Sequence, residues 1–211
     1  MIPEEIQAYA EAHTDAEDTL LQRLRRDTHL TTINPRMISG PVQGKLLQLL
    51  CAMIQAGSVL EIGTFTGYSA ICLARGISAE GMVHTVEMNP EFEDMAQQYF
   101  NESGLADKIK IYIGDAFEVV PDLDFIYDLA FIDGDKEHYP AFYELVFDRV
   151  RSGGYIFADN VLWGGKVLNP GSHPDKETQG IMKFNEMVLK DTRAEKVFLP
   201  LRDGLFIIRK K

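Results

Sequence analysis

The chain has 211 residues, 45% of them hydrophobic and 25% charged, enough to bury one sizeable core and short for two. A formal net charge of −11 argues against a broad nucleic-acid footprint or an anionic membrane partner, because both require a basic face. No run of about 18 apolar residues suggests a membrane span, the start Met1-Ile2-Pro3-Glu4-Glu5 is acidic, unlike a targeting leader, and Cys51 and Cys72 sit in apolar patterns without zinc or redox spacing. The expectation is a cytoplasmic protein with core thiols, folded as a single domain over residues 1–211.

In chain order, residues 3–30 and 41–56 carry helical spacing interrupted at Asn34-Pro35-Arg36. This preface, residues 1–56, is long enough to cover a cavity mouth or a partner subunit. Arg23, Arg25 and Arg26 within it read either as a local basic patch or as a solvated helix face. From residue 57 onward, short β-branched runs alternate with helical patterns, the mark of a parallel sheet covered on both faces. Strands are expected at Ser58–Ile62, Met82–Glu87, Lys108–Ile113, Tyr127–Ile132 and Tyr155–Ala158, with helices over Tyr68–Arg75, Pro90–Ser103 and Tyr139–Val150. A Gly-, Pro- and Asn-rich stretch from Gly164 to Pro174 reads as a candidate lid, followed by an amphipathic helix bearing Ile181, Phe184, Met187 and Val188. Lys196–Leu201 and Leu205–Arg209, joined at Arg202-Asp203-Gly204, read as a hairpin whose last strand is antiparallel.

Chemistry concentrates after the apolar runs. The turn at Gly63 to Gly67 follows a strand and opens a helix, the place where a doubly wound sheet binds the nucleoside part of a cofactor. Its Gly-x-x-x-Gly spacing is neither the dinucleotide fingerprint nor a phosphate loop, which suits a cofactor without a pyrophosphate. An ordinary strand-to-helix turn is the other reading. Glu87 ends the second strand, where a carboxylate accepts from ribose hydroxyls or sits ahead of Pro90 as a helix N-terminal acid. Asp115 lies at an adenine position or is a plain N-cap.

Two acidic clusters, Phe131-Ile132-Asp133-Gly134-Asp135-Lys136 and Phe157-Ala158-Asp159-Asn160, each follow an apolar run. If the runs are neighbouring parallel strands, Asp133, Asp159 and Asn160 meet at one edge and offer oxygen ligands to a hard divalent cation. Lys136, on its own, reads as a surface lysine near a helix start. Asp135 holds a metal-bound water or a cofactor group, or caps the following helix. Trp163 stacks on an aromatic acceptor or plugs the space under its loop. His138 and His173 show no ligand spacing.

Leu60-Glu61-Ile62-Gly63-Thr64-Phe65-Thr66-Gly67-Tyr68-Ser69, the Phe131 to Lys136 cluster and Asp159-Asn160-Val161-Leu162-Trp163, in that order, resemble the signature segments of the cation-dependent class I O-methyltransferases. That family comprises the caffeoyl-coenzyme A and catechol O-methyltransferases and their bacterial relatives, and the resemblance runs from about Met37 to the C-terminus. It implies an α/β, Rossmann-like fold with a seven-stranded, mostly parallel sheet, a C-terminal antiparallel hairpin and helices on both faces. It implies an S-adenosylmethionine site with Glu61, Gly63 and Ser69 around the methionine part, Glu87 on the ribose and Ala116 beside the adenine. Met37, Ser39, Asp133 and Asp135 complete that pocket.

Asp133, Asp159 and Asn160 match the family's metal ligands, for Mg²⁺ or alternatively Mn²⁺ or Ca²⁺, and Lys136 matches the lysine proposed as general base in the catechol enzymes. The implied activity is methylation of a small vicinal-dihydroxy aromatic, catechol or caffeoyl-type, by a homodimer. Glu177-Thr178-Gln179-Gly180-Ile181-Met182 stands where plant thioester enzymes carry basic and tyrosine residues, which favours a free acceptor over a coenzyme A ester. Two alternatives stay open: a relative that methylates hydroxyuridine in transfer RNA, and a cofactor-binding protein without transferase activity.

Overall fold

Seven strands form one sheet in the computed structural model, which describes residues 3–211. They are β1 (Ser58–Ile62), β2 (Met82–Glu87), β3 (Ile109–Ile113), β4 (Tyr127–Ile132), β5 (Val150–Asp159), β6 (Ala194–Leu199) and β7 (Leu205–Lys210). Their order is β3-β2-β1-β4-β5-β7-β6. Every pair from β3 to β5 is parallel, and β7 is antiparallel to both β5 and β6, as the Asp203-Gly204 turn leads one to expect. Met1 and Ile2, part of the acidic start, lie outside the described residues.

Alternating residues of the central strands feed two apolar clusters, one on each face. Phe131 and Phe157 join Leu24, Leu47, Ile71 and Phe100 on one side. Ala130, Ile132, Ile156 and Ala158 join Tyr139 and Phe184 on the other. Burial on both faces is why β1 and β4 read as continuous apolar runs, and it explains why these strands lie where the sequence places them. Among the described residues there are eight α-helices: α1 (Glu4–Ala12), which buries no residue and contacts α3, and α2 (Thr19–Thr31), α3 (Pro41–Ile54), α4 (Tyr68–Gly76), α5 (Glu93–Glu102), α6 (Ala116–Asp122), α7 (Tyr139–Phe147) and α8 (Lys176–Lys190), which surround the sheet.

Several boundaries differ from expectation, among them β6, which is Ala194–Leu199 rather than Lys196–Leu201, and α3, which ends at Ile54 rather than residue 56. The helical stretch expected over residues 3–30 is two helices, because Asp18 caps α2 by accepting from the Leu21 amide at 2.9 Å and so starts a new axis. The helix expected from Pro90 opens as a 3-10 turn, Pro90–Phe92, before α5. The helix expected to reach Val150 ends at Phe147, and β5 begins five residues before Tyr155. Its early half passes through Gly153 at φ 76, and the β4–β5 register shifts between Tyr127 and Leu129. A side chain on Gly154 would meet the Asp128 carbonyl oxygen at 2.9 Å, so the two glycines permit a bulged strand rather than a loop. Helix α6, only seven residues long and containing Pro121, was not anticipated.

The segment Pro35–Ile54 has the length and mean hydropathy, 1.2, of a membrane span. In the fold it is broken at Gly40, whose φ is 78, and α3 is a core helix with Leu47 and Cys51 fully buried against α4. Arg25 pairs with Glu17 and Arg23 with Glu102, while Arg26 is exposed, so the basic run of α2 is a partly paired, solvated helix face.

Candidate active site

The chain runs outward from β1 to β2 and β3 on one side, and from β4 to β5 on the other, so strand order reverses between β1 and β4. Such a switch point leaves a crevice beyond the carboxyl ends of the strands. The Asp133 amide donates to the Ile62 carbonyl at 2.8 Å and the Gly63 amide to the Val86 carbonyl at 2.9 Å, which carries the sheet's hydrogen bonding one residue past its edge. A cavity of about 760 Å³ opens there, within the range of roughly 300–1,000 Å³ usual for small-molecule sites.

The residues expected around a nucleoside cofactor converge on it. Met37, Ser39, Gly63, Ser69, Glu87 and Ala116 all line the cavity. Glu87 Oε2 accepts from the Phe65 amide at 2.7 Å and Oε1 from the Asn89 amide at 2.9 Å, so the carboxylate ties the β1–α4 turn to the end of β2. The 3-10 turn at Pro90 is capped by Asn89 through the Glu91 amide, a job Glu87 does not perform. Asp115 both lines the cavity and caps α6 through the Phe117 amide at 2.8 Å. Glu61 is different: it is fully buried and does not reach the cavity wall. Thr85 donates to it at 2.5 Å, and burial, reinforced by the charges of Asp133 and Glu87, pushes its carboxyl up to about 8.

The two acidic clusters meet as anticipated. Ile132 of β4 pairs with Ala158 of β5, so Asp133 and Asp159 leave neighbouring strand ends side by side. Asn160 follows at φ 59, in the left-handed region that asparagine tolerates. Lys136 Nζ donates to Asp133 Oδ1 at 2.8 Å and to the Gly134 carbonyl at 2.9 Å. Burial pushes the Asp133 carboxyl up to about 6, with the Lys136 ammonium opposing the rise and the Asp159 charge adding to it. Asp159 Oδ2 accepts from Gln43 Nε2 at 2.8 Å. Tyr139, from the first turn of α7, offers its hydroxyl to the Ile132 and Asp159 carbonyls at 3.2 and 3.0 Å and so braces both strand ends from below.

Asp135 lines the cavity and also caps the turn Lys136–His138 through the Glu137 amide. Trp163, at φ 47, lines the cavity and packs against the second apolar cluster.

Several lining residues carried no sequence signal for this place. Arg202 and Asp203 come from the β6–β7 turn, noticed only as a hairpin, and behind them Gln43, from the first half of α3, bonds to both Arg202 and Asp159 without lining the cavity. Asp203 Oδ1 accepts from the Gly164 amide at 2.6 Å and its carbonyl from the Leu162 amide at 2.8 Å, which seats the start of the 164–174 loop. His138, left unassigned, also lines the cavity. The helical preface reaches the mouth through Asn34, Arg36 and Met37. It also holds the β1–α4 turn, through a buried Thr28–Thr66 hydroxyl pair at 2.9 Å and through Tyr68, which donates to Glu17 at 2.6 Å.

The chain matches the family model described as O-methyltransferase over residues 10–211, which takes in most of the preface as well as everything after Met37. It is 35% identical over 171 residues to a catechol O-methyltransferase of Niastella koreensis, covering 79% of this chain and 77% of that one. It is 31% identical over 204 residues to a caffeoyl-CoA O-methyltransferase of Stellaria longipes, covering 92% and 84% of the two chains. Among solved structures, an O-methyltransferase from Bacillus cereus in complex with SAH matches with a TM-score of 0.91 at 30% identity, covering 98% of this chain and 97% of that one. Sheet order, cavity position and family match agree, and the chain belongs to the O-methyltransferase family, with the class I methyltransferase fold.

Proposed function

We propose that this protein transfers the methyl group of S-adenosylmethionine to one hydroxyl of a small vicinal-dihydroxy aromatic, a catechol or hydroxylated phenylpropanoid, with a divalent cation held by Asp133, Asp159 and Asn160. The observation that carries the reading is convergence: the β1–α4 turn, Glu87 and the Asp133, Lys136, Asp159, Asn160 group all line one cavity.

The residues present fit both implied groups. A sulfonium cofactor that also bears an ammonium is cationic, and Glu87 and Asp133 line the cavity with Glu61 buried behind its wall; burial raises the carboxyls of Glu61 and Asp133, with the charges of Asp133 and Glu87 adding to the rise at Glu61 and that of Asp159 at Asp133. Glu87 spends one lone pair per oxygen on backbone amides and keeps others for ribose hydroxyls. For the cation, the donors are two carboxylates and an amide, all hard oxygen ligands. Among the described residues, Asp133 Oδ2, Asp159 Oδ1 and the Asn160 side chain make no hydrogen bond, which leaves one oxygen of each for an ion. When bound, such an ion lowers the pKa of an acceptor hydroxyl and fixes two vicinal oxygens at once.

The chain's own residues do the rest. The cofactor turn and the cation corner lie across the switch point from each other, so an acceptor held at Asp159 and Asn160 faces the methyl donor held at Gly63 and Glu87. Lys136 Nζ, anchored to Asp133 Oδ1 and acting as the neutral amine, takes on its lone pair the proton that leaves the acceptor hydroxyl and becomes the ammonium, as the oxygen–methyl bond forms and the sulfur–methyl bond breaks. Trp163 closes one side of the aromatic acceptor. Around the 164–174 loop, Lys166 is paired with Asp175 and Lys176 with Glu137, an arrangement that favours a small molecule over a polyanion such as transfer RNA. We place the reaction in the cytoplasm, carried out by residues 1–211 acting as one domain within a homodimer.

The test is methyl transfer to a panel of catechols and caffeoyl compounds with Mg²⁺, repeated with excess chelator and with Asp159→Ala. Product that disappears in both controls supports the reading. No product from any catechol by a protein that still binds S-adenosylmethionine overturns the acceptor class and brings transfer RNA forward.

A further inference from the structure

Arg202 stands in the β6–β7 turn at φ 49, in the left-handed region where glycine would rest without strain. Its guanidinium leaves the hairpin and reaches the preface. Nη1 donates to the Ser39 carbonyl and, at 2.6 Å, to Gln43 Oε1, while Nη2 donates to the Ile38 carbonyl at 3.1 Å. Gln43, almost fully buried, passes the link on by donating from Nε2 to Asp159 Oδ2 at 2.8 Å. The two steps join segments 159 and 116 positions apart in the chain.

Donor and acceptor chemistry gives this relay one sense. A guanidinium only donates and an ionised carboxylate only accepts, so an amide between them must turn its oxygen to Arg202 and its NH₂ to Asp159. Gln43 therefore fixes one oxygen of Asp159 without neutralising it. A lysine at that place would fix the same oxygen but would compete with a cation for its charge.

We propose that Gln43 and Arg202 are positioning residues for the cation corner. Gln43 holds Asp159 Oδ2 so that Oδ1 stays free for the ion, and Arg202 orients Gln43. Through the Ile38 and Ser39 carbonyls, Arg202 also pins the cofactor-facing Ser39 stretch to the same corner, which couples the two halves of the site. The inference rests on the cation reading proposed above and adds to it the residues that orient the ligand.

The test compares wild type, Asp159→Ala, Gln43→Leu, Arg202→Gly and the Gln43→Leu/Arg202→Gly double variant of the full chain. Mn²⁺ binding, SAH binding and melting temperature are measured for each. Loss of a hydrogen bond that orients a ligating side chain typically weakens metal affinity roughly tenfold to a hundredfold, and that is the loss expected for Gln43→Leu, with SAH affinity unchanged. Its kcat returns at saturating Mg²⁺ while the Mg²⁺ concentration needed rises, a split that general destabilisation does not produce. Arg202→Gly weakens Mn²⁺ and SAH together, and the double variant loses no more Mn²⁺ affinity than Gln43→Leu alone.

Gln43→Leu that binds Mn²⁺ like wild type, while Asp159→Ala does not bind it, overturns the inference and leaves the cation reading standing. Wild type and Asp159→Ala that bind Mn²⁺ equally, or not at all, overturn the cation reading and this inference with it. Should Gln43→Leu fail to fold, Arg202→Gly carries the test alone, because it relieves the backbone strain of a residue at φ 49. Unchanged Mn²⁺ affinity in that variant is the overturning result.

Discussion

Gly63 and Asp133 approach each other so closely across the β1–β4 switch point that a Cβ on Gly63 would lie 2.4 Å from the Asp133 carbonyl oxygen. Gly63 also sits at φ 104, a conformation that L side chains rarely adopt. One residue therefore sets the distance between the β1–α4 turn and Asp133, the first acid of the proposed cation corner. Gly63→Ala must displace one of the two, and the combined strain and overpacking is expected to destabilise the fold by about 2–4 kcal/mol. Denaturant unfolding together with SAH titration checks this. A variant of wild-type stability that binds SAH normally would show that the approach has slack.

Lys136 is held by two acceptors at once, Asp133 Oδ1 and the Gly134 carbonyl, and lies 5.1 Å from the Tyr139 ring centroid. Its nitrogen is fixed in place with little freedom, as a group that must meet a departing proton should be. Lys136→Met keeps the side chain's bulk and removes the nitrogen. The expected result is a fall in kcat of about 10²–10⁴, the usual range for losing a general base, with SAH affinity preserved. Steady-state kinetics and calorimetry on the same preparation separate the two. An unchanged kcat would return Lys136 to the role of a partner that merely steadies Asp133.

Cys51 and Cys72 are buried free thiols, and burial pushes both up to about 12. Only the thiolate is an effective nucleophile, so neither should react in the native state at neutral pH. With a disulfide-exchange reagent, labelling is expected to appear only as denaturant unfolds the chain, and both thiols should react in one phase. Fast labelling of either thiol in native buffer would mean that α3 or α4 opens locally.

The parts of this molecule legible in the sequence are those whose cause is local. β1 and β4 show as largely apolar runs because both of their faces are covered, and Asp133, Asp159 and Asn160 show because each follows directly on such a run or closes it. The parts that were not legible depend on distant partners. Nothing near Gln43 marks it as facing Asp159, and Arg202 reads as one more turn residue until the hairpin is folded against the preface. Gly153 and Gly154 read as loop because a bulge needs the β4 backbone beside it to be recognisable. The place of Glu61 behind the cavity wall follows from β1 being central, with Thr85 of β2 bonded to its carboxylate.

His84 on β2 gives the fold a pH dependence remote from the site. It is buried within a T-shaped aromatic group formed by Tyr112, Phe125 and Tyr127, and its Nδ1 lies 2.9 Å from the Tyr127 hydroxyl. Burial, with the Lys110 charge nearby, lowers its pKa from 6.5. The sign follows from linkage. Between the lowered folded value and 6.5 the unfolded chain binds the proton and the native chain does not, so protonation favours unfolding. The contribution of His84 is thus fully present above pH 6.5 and is lost as pH falls from there through the folded value, with a slope of at most about 1.4 kcal/mol per pH unit. His84→Gln keeps a hydrogen-bonding group beside Tyr127 but cannot titrate. The drop in stability between pH 7 and pH 5, measured by denaturant unfolding, should be smaller in this variant than in wild type. Equal drops in the two proteins would show that the acid sensitivity of the fold arises elsewhere.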